Sequence, residues 1–150
     1  MLVQACGDEE LRRWLPDLPR PYSLADARAY VELVSEGWQS GAQFVFAVIA
    51  RTTGQPVGST RVGRSLGGAT AGYWTAPWAR RMGVASRALR LVSTWALGVG
   101  LSPIRLYIAP SNLASQRVAL AVGFVIDEHD RIIDDEGEPG DRVFILQAAK

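Results

Sequence analysis

Reactive side chains of three kinds are almost missing from these 150 residues, which hold one cysteine, one histidine and one lysine. The lone Cys6 has no partner for an internal disulfide, so a reducing compartment, the cytoplasm, is the simplest reading. Because Lys150 is the only lysine, the positive charge is nearly all arginine. Long apolar runs are absent too. The longest, Phe44 to Ala50, is far too short to cross a bilayer. Met1 to Glu10 carries acidic residues and no apolar run, which is not the pattern of a secretion signal. Nor is there an excess of one charge: 16 Lys+Arg against 15 Asp+Glu gives a net charge of +1. That balance argues against a nucleic-acid partner.

What is present suits one domain of ordinary size. Apolar residues make up 48% of the chain, and a chain this long buries about 70% of its unfolded surface. Val3 to Leu15 reads as one helix stopped by Pro16, followed by an irregular connector through Pro19 and Pro21. Ser23 is a good N-cap for a second helix, with Leu24, Ala27, Tyr30, Val31 and Val34 at helical spacing and a stop near Gly37. Phe44–Ala50, Val57–Val62 and Ala69–Thr75 read as three strands of an antiparallel meander, with turns at Thr52–Pro56 and Gly63–Gly68. From Met82 to about Val99 a helix places Val84, Ala88, Val92, Trp95, Ala96 and Val99 on one face, with Arg87 and Arg90 outside it. A strand at Ile104–Ile108, a helix at Asn112–Val122, and strands at Phe124–Glu128 and Arg142–Gln147 complete the chain. An acidic hairpin loop at 134–140 joins the last two. The order of elements gives an α/β (α+β) domain without internal repeats.

The segment Arg80-Arg81-Met82-Gly83-Val84-Ala85 follows the strand that ends Gly72-Tyr73-Trp74-Thr75 and opens a helix. The first turn of a helix carries N–H groups without intrahelical partners, at the positive end of the macrodipole. An anion such as a phosphate is favoured there. Gly83 and Ala85 let a ligand come close to the backbone, and Arg80 and Arg81 add charge.

Taken in order, Gly72-Tyr73-Trp74, Ala76-Pro77, Arg80-x-x-Gly83-x-Ala85, Asn112-x-x-Ser115, Val118-Ala119 and Gly123-Phe124 resemble the acetyl-CoA-binding core of the GNAT N-acetyltransferase superfamily. The nearest likeness is to its ribosomal-protein N-terminal acetyltransferase branch. The resemblance runs from about Ala42 to Gln147. It implies a mixed, mostly antiparallel sheet with helices on both faces, acetyl-CoA as co-substrate, no metal, and a protein N-terminus or small molecule as the primary-amine acceptor. It places the pyrophosphate on the N–H groups of Met82, Gly83, Val84, Ala85 and Ser86, with Arg80 and Arg81 beside them. The pantetheine arm then runs along the strand end at Trp74, Thr75 and Ala76, and an N–H near Trp74 or Thr75 serves as oxyanion donor. Asn112 is a favoured helix N-cap, to which the resemblance adds a cofactor contact. Ser115 is implied to protonate the leaving thiolate.

Two departures matter. Relatives often carry Glu where this chain has Thr70 and Tyr where it has Ala119, so the usual base and acid are missing. His129 reads as a solvated strand end, and Trp14, Tyr22, Tyr30 and Trp38 gather in the part that covers the acceptor in relatives. The substitutions leave room for a second function, a catalytically silent CoA-binding sensor or partner-binding protein. Relatives also open with a strand, whereas this chain is expected to begin inside the helix that follows it. The Phe44–Ala50 strand then has an unpaired edge, which an upstream segment or a homodimer would cover.

Overall fold

The computed structural model describes residues 1–133 and 139–148. Its elements are α1 (Leu2–Cys6), α2 (Glu9–Trp14), α3 (Leu24–Ser40), β1 (Gln43–Ile49), β2 (Pro56–Ser65), β3 (Gly68–Thr75), α4 (Val84–Gly98), β4 (Ile104–Ile108), α5 (Leu113–Val122), β5 (Val125–Ile133) and β6 (Pro139–Leu146). The six strands form one sheet in the order β1-β2-β3-β4-β6-β5. All neighbours are antiparallel except β3 and β4. The expected meander is therefore present.

The single N-terminal helix expected over Val3–Leu15 is instead two. Gly7 ends α1, and Asp8 starts α2 as an N-cap whose carboxylate accepts from the Leu11 N–H at 2.8 Å. Asp8 sits in a charged run, where its capping role is hard to tell from a solvated acid. The α3 helix runs past Gly37 to Ser40, where Gly41 in the left-handed conformation supplies the stop. Its start is the expected one, with a full capping box between Ser23 and Asp26. The Ser23 hydroxyl and N–H hold the Asp26 carboxyl below its ordinary pKa. Gly63 does not turn the chain; it pairs with Gln43 and Thr70, and β2 continues to Ser65. Val99 caps α4 and lies half in solvent rather than on the core face. Of the acidic loop, 134–138 fall outside the described residues, while Pro139 and Gly140 already belong to β6. His129 falls inside β5 rather than at its end.

Strand alternation decides the two faces of the sheet. Ala69, Ala71 and Tyr73 of β3, with Val62 of β2 and Ile104, Leu106 and Ile108 of β4, point to the side taken by α4 and α5. There Leu89, Val92 and Ala96 of α4 and Ala119 and Val122 of α5 close the main core around Phe124 and Phe144. Each large side chain fully buried there stabilises the fold by about 1.5–3 kcal/mol. Gly123, left-handed at φ 105°, ends α5, and the Phe124 N–H bonds back to Ala119 O at 3.1 Å. The Gly-Phe pair is thus a helix stop and a core anchor. On the opposite face Trp74 packs against a second cluster made by Cys6, Leu11, Tyr22 and Ala27. Tyr22 is therefore packing, and burial raises the Cys6 thiol pKa.

The edge strand β1 is partly covered from within. The Trp38 indole N–H donates to Val45 O at 3.0 Å. Its ring meets Phe44 and Phe46 edge-on, with centroids 5.0 and 5.2 Å away, and those two rings also pack on Trp95 of α4.

Candidate active site

The parallel junction between β3 and β4 is short. Cα pairing is limited to Ala69 with Ile104 and Thr70 with Arg105. Past Thr70 the two strands part, and a notch opens along the upper half of β3. Two bonds fix which amides line it. The Ala69 N–H points toward β4, bonded to Pro103 O at 2.8 Å, and the Ala76 N–H points toward β2, bonded to Val57 O at 2.9 Å. Backbone direction alternates along a strand. The N–H groups of Ala71, Tyr73 and Thr75 therefore face the notch, while Trp74 is turned to β2, where it pairs with Ser59. Of the two amides suggested as oxyanion donor, the Trp74 amide is turned away into the ladder. Close approach of β2 also explains Gly58, where a Cβ would sit 2.4 Å from Trp74 O.

Thr75 carries a second feature. Its Oγ1 is buried and makes no hydrogen bond among the described residues. Such a group costs about 1–3 kcal/mol when left unmade.

Beyond Ala76, which is buried, a short 3-10 turn at Pro77–Ala79 carries the chain to Arg80. Arg81 adopts φ +61°, and Gly83 follows at φ +69° as the N-cap of α4. A left-handed residue leading into a right-handed helix makes a concave array of N–H groups that suits an anion. No side chain caps α4. The Arg87 N–H donates to Gly83 O at 3.2 Å, so the amides of Val84, Ala85 and Ser86 precede the helical ladder. Met82 is exposed, and its carbonyl accepts from Arg87 Nη2 at 2.9 Å. That contact brings Arg87 over the helix start, so that a Cβ on Gly83 would lie 2.8 Å from Arg87 Nη1. Arg87 lies outside the apolar face, as expected; its position four residues after Gly83, one turn on, is the signal that would have tied it to the helix start.

Arg80 is held elsewhere. Its guanidinium forms a fork on the Asp8 carboxylate, and Nη1 also lies 2.9 Å from Glu10 Oε2. The Arg80 bond holds the Asp8 carboxyl below its ordinary pKa, and Asp8 in turn raises that of Arg80. Among the described residues Arg81 and Arg87 form no ion pair, Arg87 bonding to the Met82 carbonyl, while Arg80 fastens this loop to α2.

At the other end of the notch, Asn112 caps α5. Its Oδ1 accepts from the Ser115 N–H at 3.1 Å, and its Nδ2 makes no hydrogen bond among the described residues. The Ser115 hydroxyl lies 2.6 Å from Tyr73 Oη, which also reaches Ser115 O at 3.0 Å. Burial pushes the Tyr73 phenol up to about 12, against the opposing pull of the Ser115 hydrogen bond. Tyr73 was not singled out from sequence, although alternation with Ala69 and Ala71 puts it on the α5 side. Buried Gln116 braces this end, donating to Ala109 O and Pro110 O and accepting from Arg142. Ala119 is fully buried, and Thr70 stands opposite Arg105 with no acidic group to offer.

The family model of the acetyltransferase (GNAT) domain matches residues 1–125 of this chain. The chain belongs to the GNAT acetyltransferase family. It is accordingly an acetyl-CoA-dependent N-acyltransferase by class. Solved structures agree in fold. RimJ of Mycobacterium smegmatis, in complex with CoA-disulfide, superposes with a TM-score of 0.81 at 19% identity, over 97% of this chain and 74% of that one. A ribosomal-protein-S5-alanine acetyltransferase of Vibrio fischeri gives 0.76 at 16% identity, over 97% and 86%. A GNAT-family acetyltransferase of Bacillus anthracis gives 0.76 at 20% identity, over 96% and 85%. No curated protein sequence matches this GNAT chain.

Proposed function

We propose that the protein moves the acetyl group of acetyl-CoA to a primary amine, either a protein N-terminus or a small molecule. One observation carries the reading: the exposed amides at the start of α4 and the notch beside β3 belong to one continuous stretch, residues 71–86. A CoA thioester has the matching parts, an anionic pyrophosphate and a long amide-bearing arm. The chain suits it on two counts: the uncapped helix start flanked by Arg81 and Arg87, and the amides turned into the notch. Met82, Gly83, Val84, Ala85 and Ser86 hold the pyrophosphate, and Asn112 offers its Nδ2. The Thr75 amide is the oxyanion donor, a role that depends on position rather than side chain. Ser115 stands beside the leaving sulfur. With Thr70 and Ala119 at the usual base and acid positions, the amine loses its proton to water.

The test is acetyl transfer measured on a panel of N-terminal peptides, amino acids and polyamines, with acetyl-CoA binding measured alongside. Turnover of at least one amine is expected. Tight acetyl-CoA binding without turnover of any amine would replace this reading with a silent CoA-binding role, which the missing Glu and Tyr make the specific rival.

A further inference from the structure

We propose that Tyr73 is a positioning residue for Ser115: its phenol donates to Ser115 Oγ and so turns the serine hydrogen outward, toward the sulfur that leaves during acyl transfer. The inference rests on the acetyl-transfer reading above, and its starting point is a count of hydrogens. Tyr73 Oη lies 2.6 Å from Ser115 Oγ and 3.0 Å from Ser115 O. Two hydroxyls share two hydrogens, so two arrangements exist. In one, Tyr73 donates to the carbonyl and Ser115 donates to Tyr73, which consumes the serine hydrogen. In the other, Tyr73 donates to Ser115 Oγ, and the serine hydrogen is left for a third acceptor.

The second arrangement deprives no carbonyl of its partner and leaves the serine hydrogen for the ligand. Ser115 lies in the first turn of α5, so its carbonyl is already the acceptor for the Ala119 N–H of the helix. The Ser115 N–H is held by Asn112, which fixes the start of the helix and hence the direction of the Cα–Cβ bond. A hydroxyl that receives one hydrogen bond donates a stronger one, so Tyr73, Ser115 and an anionic sulfur would reinforce each other in sequence. Tyr73 thereby brings a phenol from β3 to the helix that carries Ala119 in place of the usual tyrosine.

The pair donates hydrogen bonds and does not deliver a proton. A phenol near 12 is a far weaker acid than a thiol near 8.5, so full transfer to the thiolate runs uphill by roughly three orders of magnitude. The balance closes without it. The amine nitrogen forms its bond to the acetyl carbon and loses one proton to water. The carbon–sulfur bond breaks, and the thiolate leaves, stabilised by Ser115, to take its proton from water afterwards.

The decisive measurement needs no turnover. The thiol of bound CoA is titrated by its thiolate absorbance in the wild type, Tyr73→Phe, Ser115→Ala, Ser115→Thr and the Tyr73→Phe/Ser115→Ala pair, each against its own ligand-free titration. The wild type is expected to hold the CoA thiol about one pH unit lower than Tyr73→Phe, a tenfold effect. Ser115→Ala should match Tyr73→Phe, the double variant should go no further, and Ser115→Thr should keep the wild-type value. Turnover should follow, with kcat about tenfold lower in Tyr73→Phe and KM for acetyl-CoA unchanged. An unshifted thiol in Tyr73→Phe, or additive losses in the double variant, would overturn the role of Tyr73 and leave acetyl transfer standing. A wild type that binds CoA yet acetylates no amine would sink the acetyl-transfer reading, while the titration still decides Tyr73. Failure of the wild type to bind CoA would remove both.

Discussion

Gly83→Glu separates the phosphate site from the fold. At φ +69° a residue with a Cβ costs roughly 1–2 kcal/mol. For a domain of this length that lowers Tm by about 2–8 °C, at about 2–4 °C per kcal/mol. The added Cβ also meets Arg87 Nη1, but that is the far end of a flexible side chain and can move aside. The variant therefore folds. Binding suffers more. The new carboxylate occupies the concave end of α4 and repels the pyrophosphate, so two or more charge-assisted bonds are lost at about 1.5–3 kcal/mol each. Affinity should fall at least a hundredfold, since each 1.4 kcal/mol is a factor of ten. With acetyl-CoA at 100 times the wild-type Kd, mass action stabilises the wild type by about 2.7 kcal/mol and the variant by about 0.4 kcal/mol. The assay is thermal melting with and without acetyl-CoA. It should show a shift of about 5–11 °C for the wild type and no more than about 2 °C for the variant. Gly83→Asn, tolerated in the left-handed region, controls for backbone strain without the charge. Equal ligand-induced shifts in wild type and Gly83→Glu would refute the placement of the pyrophosphate at this helix.

Other substitutions probe the remaining parts. Asp8→Asn keeps an N-cap but breaks the fork on Arg80, with an expected loss of about 0.5–1 kcal/mol at neutral pH, given the partial exposure of both partners. Because the folded-state pKa of Asp8 is depressed, that stability is present above the ordinary value of 3.8 and lost as pH falls through the lower one. Melting curves of wild type and variant should therefore converge in acid. Thr75→Val removes a buried hydroxyl without a partner among the described residues, so the ligand-free protein should melt no lower than the wild type, and about 1–3 kcal/mol of unmade-bond cost is recovered. Phe144→Ala empties the centre of the main core and should cost about 3–5 kcal/mol in denaturant unfolding.

Local patterns made much of this fold legible. Alternation and turn residues give the meander, and apolar spacing gives α4. The glycine after a strand marks the start of α4, where the pyrophosphate is proposed to sit. Readings that failed involve partners far away in the chain. The sequence spacing of 72 residues between Asp8 and Arg80 hides an ion pair that ties Arg80 to α2. Tyr73 meets Ser115 across 42 residues, and no local rule points from one to the other. Gly63 looks like a turn residue because glycine is common in turns, yet its neighbours on both strands hold it extended. Asn112 shows the reverse: its capping role follows from position alone, and the structure agrees.

The sheet is in effect two leaves, β1-β2-β3 and β4-β6-β5, stitched at one end of their common spine by the Ala69 and Thr70 pairs. Helix α4 lies on the first leaf and α5 approaches the second, and the two helices meet, with Arg90 Nη2 donating to Ala121 O at 2.8 Å. The gape between the leaves is therefore set by how two helices nest, not by strand hydrogen bonds. Repacking where α4 meets α5 would thus shift one leaf against the other without breaking a rung of either ladder.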